Sequence, residues 1–315
     1  MKKLMTFGET MVSFLPEGAF PLRYTRSFYS NVAGAESNVA IGIAKLGGKV
    51  TWFSRLGEDE FGHFILNTIR SEGVDCSHVI LDEKYRTGFM FKDMSRNDTV
   101  VYYYRENSAA SHINPADISD SLFENIDIVF LTGITPVLSK ECREAVFRTI
   151  EQCNKKGIWI AFDPNIRKKL WKNRDYTTVL RDIMMQSQIV LTGAEEAGTL
   201  LGISDSDTVF DYLFANGKAE FVAVKNGAEG AIVADRKIRF RIPPYPCRCV
   251  ESIGAGDGFN AGFLMSLMME KDVKTAGEIG AICGAMATET PGDTEGYPDV
   301  KQLLSALNGS EMVTR

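Results

Sequence analysis

The segment at residues 249–264 reads CVESIGAGDGFNAGFL and carries the strongest pattern in the chain. A short extended stretch leads into a helix on which Phe259, Phe263 and Leu267 recur at helical spacing. Its glycines let the backbone come close to a ligand, and the free N–H groups at a helix start bind anions. The segment predicts an anion-binding turn at Gly254–Gly256, here called the anion turn, with Asp257 in the first helical turn.

Asp257 is an unexpected neighbour for such a turn, because a carboxylate repels the anion that the turn attracts. The arrangement is explained if Asp257 is a general base that accepts a hydroxyl proton while the turn stabilises a transferring phosphoryl group. A plain helix cap and a dinucleotide-binding glycine turn are the alternatives. Gly8 stands alone after the first predicted strand, so G-x-G-x-x-G is missing there, and the chain has no G-x-x-x-x-G-K-[ST] motif.

Apolar runs alternate with helical patterns along the rest of the chain. A core strand is predicted near the start, and buried strands are predicted at residues 126–131, 158–163, 188–191 and 221–224. Cys142, Val146, Ile150 and Cys153 share one face of an intervening helix, which Gly157 ends. Continuous β-prone runs separated by helices predict an α/β fold, with a doubly wound, mostly parallel sheet flanked by helices and right-handed connections.

Two regions interrupt this alternation, at about residues 10–30 and 85–105. The second is predicted to form two strands around a turn at Arg96-Asn97-Asp98, the later strand being strongly β-prone. Together they predict a small inserted β-sheet, here termed the lid, on a single domain of residues 1–308 that ends in a frayed tail, 309–315. Because bare strand edges invite pairing, we expect the lid to cover a site and to join two copies into a homodimer or higher homo-oligomer.

Composition narrows the possible partners. The chain has 315 residues, 44% hydrophobic and 24% charged, which is typical of a globular protein able to bury a large core. A formal charge of −6 gives no electrostatic footprint for nucleic acid, and no run approaches the length of a membrane span. The start is unlike a signal peptide, the six cysteines form no C-x-x-C, and the three histidines are scattered. A cytoplasmic protein without a zinc site is therefore expected.

The anion turn with Asp257 resembles the C-terminal signature D-T-x-G-A-G-D of the pfkB-type, or ribokinase-like, carbohydrate kinases. The N-terminal signature is present as well, at residues 34–38, 44–47 and 57–62, so the resemblance covers essentially the whole chain. Within the family, the blocks most similar to 2-keto-3-deoxygluconate kinases are residues 34–38, 103–105 with 108–110, 133–135, and 163–167 with 170–171.

The resemblance implies transfer of the ATP γ-phosphate, with Mg²⁺, to a hydroxyl of 2-keto-3-deoxygluconate, giving the 6-phosphate. The alternatives are a kinase for fructose or another related sugar or keto-deoxy acid, and a non-catalytic sugar or nucleotide sensor. The sensor is disfavoured because Asp257 is present. The sequence does not separate gluconate-type from galactonate-type substrates, which differ in the configuration of one hydroxyl.

Residue roles follow from the same resemblance. It implies that Asp257 is the catalytic base and that Gly254, Ala255 and Gly256 form the anion hole. Substrate contacts are implied for Gly34, Ala35, Asn38, Tyr103, Arg105, Ile134, Arg167, Asp257 and Asp293. ATP contacts are implied for Asn165, Glu196, Lys225, Gly227, Gly230, Gly254 and Gly256, and Glu196 is implied to contact the metal indirectly, through water.

Each implied contact also has a structural interpretation. Asn38 belongs to a segment that could simply start a helix, and Asp293 and residues 227–230 could simply form turns. Arg167 could be a solvated surface residue, and Tyr103 with Arg105 could form one exposed face of a sheet. The two arginines would let an acidic protein hold an acidic sugar, since a guanidinium pairs with a carboxylate through two hydrogen bonds.

The chain departs from the family pattern at two places. Gly193 replaces the Asn of an N-x-x-E block that ends in Glu196, which leaves the water-mediated metal contact of that block to Glu196 and Asn165. Glu251-Ser252 replaces the usual Asp-Thr, a pair that helps to bind an activating monovalent cation in many relatives. The sequence therefore does not predict potassium dependence.

Overall fold

Strands of this chain form one large sheet, the lid, and a two-stranded ribbon. The computed structural model describes residues 1–18, 20–95 and 99–308. The strands are β1 Lys3–Phe7, β2 Met11–Pro16, β3 Phe28–Ala33, β4 Lys49–Phe53, β5 Arg55–Gly57, β6 Ile80–Asp82, β7 Phe89–Asp93, β8 Val100–Tyr104, β9 Ile128–Thr132, β10 Trp159–Asp163, β11 Ile189–Gly193, β12 Phe221–Lys225, β13 Ala231–Asp235 and β14 Arg239–Ile242.

Helices connect most of these strands. The α-helices are α1 Ala35–Lys45, α2 Glu60–Ser71, α3 Thr135–Leu138, α4 Lys140–Lys156, α5 Lys168–Trp171, α6 Thr177–Met185, α7 Ala194–Leu201, α8 Ser206–Asn216, α9 Ala255–Met268, α10 Val273–Ala287 and α11 Val300–Leu307. Short 3₁₀ helices lie at Leu22–Tyr24, Ala109–His112, Pro115–Asp117, Asp120–Phe123 and Gly227–Glu229. Within the described ranges, no helix combines the length and the hydropathy needed to cross a bilayer.

The large sheet has the order β14-β13-β12-β11-β10-β9-β1-β4. The six strands β4, β1, β9, β10, β11 and β12 run parallel to one another, and β13 and β14 are added antiparallel at one edge. This confirms the predicted α/β class with a mostly parallel sheet. In register, Thr132 lies opposite Asp163 and Gly193 opposite Lys225, so the last residues of four adjacent strands meet at one edge of the sheet.

Both faces of the sheet are covered, which explains why its strands are apolar throughout. Within β1, Leu4 packs into one core cluster and its neighbour Met5 into the other, as side chains alternate along a strand. The first cluster includes residues of α1 and α9, and the second includes residues of α4, α6 and α8. Helix α9, which follows the anion turn, is therefore held between the sheet and other helices rather than on the surface.

The predicted helix with Cys142 to Cys153 on its buried face is α4. Its N-cap, Ser139, accepts a hydrogen bond from the Cys142 amide at 2.9 Å. Gly157 ends the helix in the left-handed region at φ 69°, where a side chain would be strained. Both the start and the end of this element follow from local capping chemistry.

The lid is a four-stranded sheet with the order β3-β2-β7-β8. Its strands lie within the predicted regions except that β3 continues to Ala33. The predicted turn at residues 96–98 and the predicted tail at 309–315 lie outside the described residues. An aromatic cluster stabilises one face, where Phe14 stacks on Phe91 and Phe89 stacks on Tyr104, both with ring centroids 5.0 Å apart. Since β2 follows β1 after three residues, and α1 follows β3 after one, the lid is joined directly to the edge of the sheet where the strand ends meet.

Candidate active site

The anion turn begins at Gly254, the N-cap of α9. Gly254 has φ +84°, and a Cβ on it would lie 2.2 Å from the Asp293 carbonyl oxygen, so only glycine fits in both respects. The Tyr297 hydroxyl donates to the Gly254 carbonyl at 3.0 Å and holds this peptide in place. Among the described residues, no acceptor faces the N–H groups of Gly256 and Asp257. The turn therefore presents these donors at the positive end of a helix, and its role as an anion hole stays a prediction.

The Asp257 carboxylate lies beside these donors. Its Oδ2 accepts a hydrogen bond of 2.8 Å from the Asn38 amide, which reaches across from α1. Burial raises the pKa of Asp257 to about 7; the negative charges of Asp163 and Asp293 act in the same direction, and the Asn38 hydrogen bond and the positive Arg167 oppose them. A carboxylate with this proton affinity is suited to take a proton from an alcohol near neutral pH.

Beneath the anion turn, the ends of β10 and β12 bring a partly buried lysine into contact with a buried carboxylate. Lys225 Nζ donates to Asp163 Oδ2 at 2.7 Å, and Asn260 Nδ2 donates to the same oxygen at 2.5 Å. Burial alone would lower the pKa of Lys225, but the charges of Asp163 and Glu196 raise it, so the ammonium stays charged. A Cβ on Gly256 would lie 3.9 Å from this ammonium, which places a positive charge directly under the turn.

Glu196 organises the neighbouring loop rather than presenting a free carboxylate. One of its oxygens accepts from the Ile166 amide at 2.8 Å and the other from the Gly193 amide at 2.9 Å. Burial and the negative charge of Asp163 raise its pKa. Asn165 is also buried, and its backbone amide donates to Asp163 Oδ1 at 2.9 Å. The oxygens of Glu196 and Asp163 already accept hydrogen bonds, and within the described ranges no group of three or more His, Cys, Asp or Glu side chains could hold a metal directly, so contact with a magnesium ion would run through water and phosphate oxygens.

Several predicted sugar-side residues lie at the start of α1, beside Asp257; the region between this helix start, the lid and the anion turn is here called the cleft. Gly34 is the N-cap of α1, and a Cβ there would lie 2.5 Å from the Glu9 carbonyl oxygen, so its small size is needed for packing. Asn38 follows one turn later and joins Asp257 to Asp293, whose Oδ2 accepts from the same amide at 3.3 Å. Ala35 is buried behind the helix start, and Ile134 is half-buried just past β9.

The two predicted arginines, Arg105 and Arg167, differ in whether a carboxylate of the chain pairs with them. The Arg105 Nε donates to Glu9 Oε2 at 2.6 Å, and its guanidinium lies 5.6 Å from the centre of the Tyr103 ring. Tyr103 and Arg105 thus share one face of the lid, as strand alternation predicts, but Arg105 is already paired. Arg167, at the start of α5, is exposed, and no acceptor among the described residues pairs with it. Its charge nevertheless acts on Asp257.

The glycines predicted to contact ATP lie in the turn between β12 and β13. Gly230 has φ +88°, and a Cβ there would lie 2.1 Å from the Ile242 carbonyl oxygen, so the turn itself requires this glycine. Gly227 has open space around its Cα. Lys225, at the start of this turn, points back under the anion turn instead of outward along the loop.

Sequence reasoning missed several residues that the fold brings to this cleft. Asp163 and Asn260 carry the contacts to Lys225, and Tyr297 orients the anion turn. Asn260 follows Asp257 by three residues and therefore lies on the same face of α9, a spacing that could have signalled it. Tyr297 is 43 residues away from the carbonyl that it contacts, and no local pattern reveals such a contact.

A site with a free anion turn, a carboxylate of raised proton affinity and a buried lysine defines a phosphoryl-transfer class of enzyme. The family model described as pfkB family carbohydrate kinase matches residues 1–300. The chain belongs to this family, which confirms the predicted family and enzyme class. A 2-dehydro-3-deoxygluconokinase of Bacillus subtilis (strain 168) is 34% identical over 313 residues, covering 98% of this chain and 96% of its own.

Solved structures agree with this assignment. A PfkB protein from Polaromonas sp. JS666 has a TM-score of 0.88 at 35% identity, covering 97% of this chain and 100% of that one. An uncharacterized sugar kinase from Pyrococcus horikoshii in complex with ATP has a TM-score of 0.84 at 25% identity, covering 96% of this chain and 97% of that one. The ribokinase-like fold with its separate small sheet is therefore shared with other sugar kinases.

The raised pKa of Asp257 predicts a stability effect. The unfolded chain releases this proton near the ordinary aspartate value and the folded chain only near pH 7, so the free energy of unfolding falls as pH rises between about 4 and 7. Asp257→Asn removes this loss. In urea unfolding, the variant should therefore gain stability over wild type as pH rises through that window, and the gain should level off above it.

Asp272→Asn is the matched control, because the pKa of Asp272 is shifted the other way. Asp272 caps α10, and the backbone hydrogen bond from Thr275 lowers its pKa. Its replacement should bring no gain with rising pH. If Asp257→Asn follows the same flat or falling curve as this control, the burial assigned to Asp257 is wrong.

Proposed function

We propose that this protein transfers the γ-phosphate of ATP to the 6-hydroxyl of 2-keto-3-deoxygluconate, also called 2-dehydro-3-deoxygluconate. The observation that carries the proposal is the Asp257 carboxylate beside the donors of the anion turn, which have no acceptor in the part of the chain that the structure describes. The substrate is supported by the name of the Bacillus subtilis relative and by the keto-deoxy sugar kinase blocks of the sequence. ATP is supported by the nucleotide bound to the Pyrococcus horikoshii structure.

In the proposed reaction, the sugar hydroxyl attacks the γ-phosphorus roughly in line with the bond to the β-phosphate oxygen. The new O–P bond forms while the bond to the β-phosphate oxygen breaks, and ADP leaves with that electron pair. Asp257 accepts the hydroxyl proton. The N–H groups of Gly256 and Asp257 and the Lys225 ammonium below them stabilise the charge on the transferring group.

Magnesium bound with ATP would supply further positive charge at the phosphates. Within the chain, we assign contact with its water shell to the Asp163–Asn165 turn and Glu196, whose contacts with each other's segments keep them side by side. Gly227 has no side chain, and a Cβ there would meet no described atom within 4 Å, which leaves room in the β12–β13 turn for the adenosine part of the nucleotide.

Arg167 is the residue that we assign to the substrate carboxylate. It is exposed at the cleft and has no acceptor within the described ranges, so its donors are free for an anion. The Arg105 guanidinium is paired with the Glu9 carboxylate, so it offers the substrate little net positive charge. A kinase for fructose is the alternative in the same class, and it would gain nothing from a free guanidinium at this place.

We also propose that the lid joins two copies of the chain. Its outer strand β8 exposes Tyr102 and Tyr104, and β3 exposes Tyr29, so both edge strands carry apolar surface at unpaired edges. Pairing of lid edges in a homodimer covers this surface and places each lid over its own cleft.

Turnover should depend on Asp257 as the base. Replacement by Asn keeps the shape but cannot accept the proton, so kcat should fall by about 10²–10⁴-fold. In the wild type, kcat/KM should rise with pH and reach a plateau above an apparent pKa of about 7. ADP release is measured from pH 5 to 9 with 2-keto-3-deoxygluconate, and Asp272→Asn should retain the wild-type profile. Full turnover by Asp257→Asn would refute the assignment of the base.

Arg167→Met should change substrate preference. Loss of one charge-assisted pair should lower kcat/KM for 2-keto-3-deoxygluconate by roughly 10- to 100-fold, while kcat/KM for fructose stays within about threefold. The assays are run above pH 8.5, where Asp257 is ionised with or without Arg167. Lys168→Met removes a neighbouring exposed charge and serves as the control. An equal loss on both sugars would mean that Arg167 does not read the carboxylate.

Association through the lid should disappear when its edge is charged. Tyr102→Lys, which adds a positive charge to each β8 edge, should convert a dimer into a monomer in sedimentation at micromolar concentration. Tyr212→Lys, on α8 and away from the lid, should leave the association unchanged. A wild-type monomer under these conditions would contradict the proposed dimer.

A further inference from the structure

Lys92 is a charged residue that follows three apolar residues in its strand. It lies in β7 of the lid, after Phe89, Met90 and Phe91, and its side chain is 0% exposed. A buried ammonium without partners would be strongly unfavourable, so its surroundings must compensate for the charge. A buried strand residue neither improves solubility nor caps a helix, so neither role explains a lysine at this position.

Two carboxylates meet the Lys92 ammonium, and both come from loops outside the lid. Nζ lies 3.1 Å from Glu251 Oε1 and 3.0 Å from Asp293 Oδ1. Burial alone would lower the pKa of Lys92, but these two charges raise it, so the group remains an ammonium at neutral pH. The side chains of Glu251 and Asp293 are themselves 1% and 8% exposed. The three groups form a buried cluster with a net charge of −1, from one positive and two negative groups.

Both carboxylates belong to segments that shape the anion turn. Glu251 precedes Gly254 by three residues, and the Asp293 carbonyl is the atom against which Gly254 packs. The other oxygen of Asp293 accepts from Asn38, which also donates to Asp257. An unbroken series of polar contacts therefore runs from the lid through Lys92, Asp293 and Asn38 to the proposed base.

The same cluster shows how the chain differs from relatives in which the pair at positions 251 and 252 helps to bind a monovalent cation. Here Glu251 Oε1 is paired with Lys92, and its Oε2 accepts from the Gly292 amide at 3.0 Å. Both oxygens are engaged, and the space between the two carboxylates holds an ammonium that is part of the chain. These residues do not fit a dissociable cation.

We propose that Lys92 is a positioning residue whose ammonium takes the place of a bound monovalent cation. It fixes Glu251 and Asp293 around the anion turn and links the lid to that turn. As a consequence, the enzyme is independent of added monovalent cations. The kinetic part of this inference rests on the proposed kinase function. The structural part, that the cluster needs one cation and that Lys92 provides it, does not.

The test compares wild type with Lys92→Ala and Lys92→Met in tetramethylammonium buffer, with K⁺, NH₄⁺ or methylammonium added at constant ionic strength. ADP is quantified directly, so that no coupling enzyme with its own cation requirement is present. Lys45→Met is the control, because Lys45 donates to Thr294 in the same loop at 3.0 Å but is partly exposed. Thermal unfolding is recorded in every buffer as a readout that needs no activity.

Wild type should keep the same kcat/KM in all buffers, within about twofold, and Lys45→Met should behave in the same way. Lys92→Ala should lose at least about tenfold in kcat/KM, because two buried carboxylates are left without their cation. Added NH₄⁺ or methylammonium should restore part of the activity with a saturable dependence, and should also raise the midpoint of thermal unfolding of this variant. Lys92→Met fills the space with methylene groups and should not respond to these cations.

Strong activation of wild type by K⁺ or NH₄⁺ would overturn the inference, and so would wild-type kinetics for Lys92→Ala in tetramethylammonium. If both single variants fail to fold, the double variant Lys92→Met, Glu251→Gln is used, because it keeps the net charge of the cluster at −1. This variant should fold and show a reduced kcat/KM. Unchanged kinetics would refute the positioning role. If wild type phosphorylates no sugar, the proposed function fails, while cation-dependent unfolding of Lys92→Ala still decides whether the cluster requires a cation.

Discussion

The hydrogen bond between the Asn38 amide and the Asp257 carboxylate, at 2.8 Å, is the contact on which the architecture of the site depends. It joins the start of α1, which leaves the lid, to the start of α9, which leaves the anion turn. Burial and the charges of Asp163 and Asp293 raise the proton affinity of this carboxylate, and the Asn38 amide is the neutral donor that holds it in place.

The fold supplies the rest of the site through the edge where the parallel strands end. Register places Asp163, Gly193 and Lys225 at the ends of adjacent strands, so their side chains and amides meet without any long loop. Lys225 then lies under the anion turn and Lys92 beside it, and each buried ammonium is matched by carboxylates. Two lysines of the chain thus supply fixed positive charge on two sides of the turn that we propose binds the transferring phosphate.

Local chemistry made much of this predictable. The anion turn, the strands of the parallel sheet and helix α4 follow from glycine placement, apolar runs and caps, each of which acts over a few residues. Family resemblance placed Asn38, Asp293 and Arg167 at the cleft, and the structure brings Asn38 and Asp293 into contact with each other. What local chemistry could not show were pairings across long separations. Lys92 meets Glu251 across 159 residues, and Arg105 meets Glu9 across 96. A lysine directly after three apolar strand residues is a visible signal, but nothing in the strand reveals its partner.

The most direct test of the account is the structure of the protein with 2-keto-3-deoxygluconate and a non-hydrolysable ATP analogue. The account predicts that the 6-hydroxyl lies within about 2.6–3.2 Å of an Asp257 carboxylate oxygen and that the γ-phosphate accepts from the Gly256 amide. A γ-phosphate bound away from the anion turn, or an attacking hydroxyl held by another base, would contradict it.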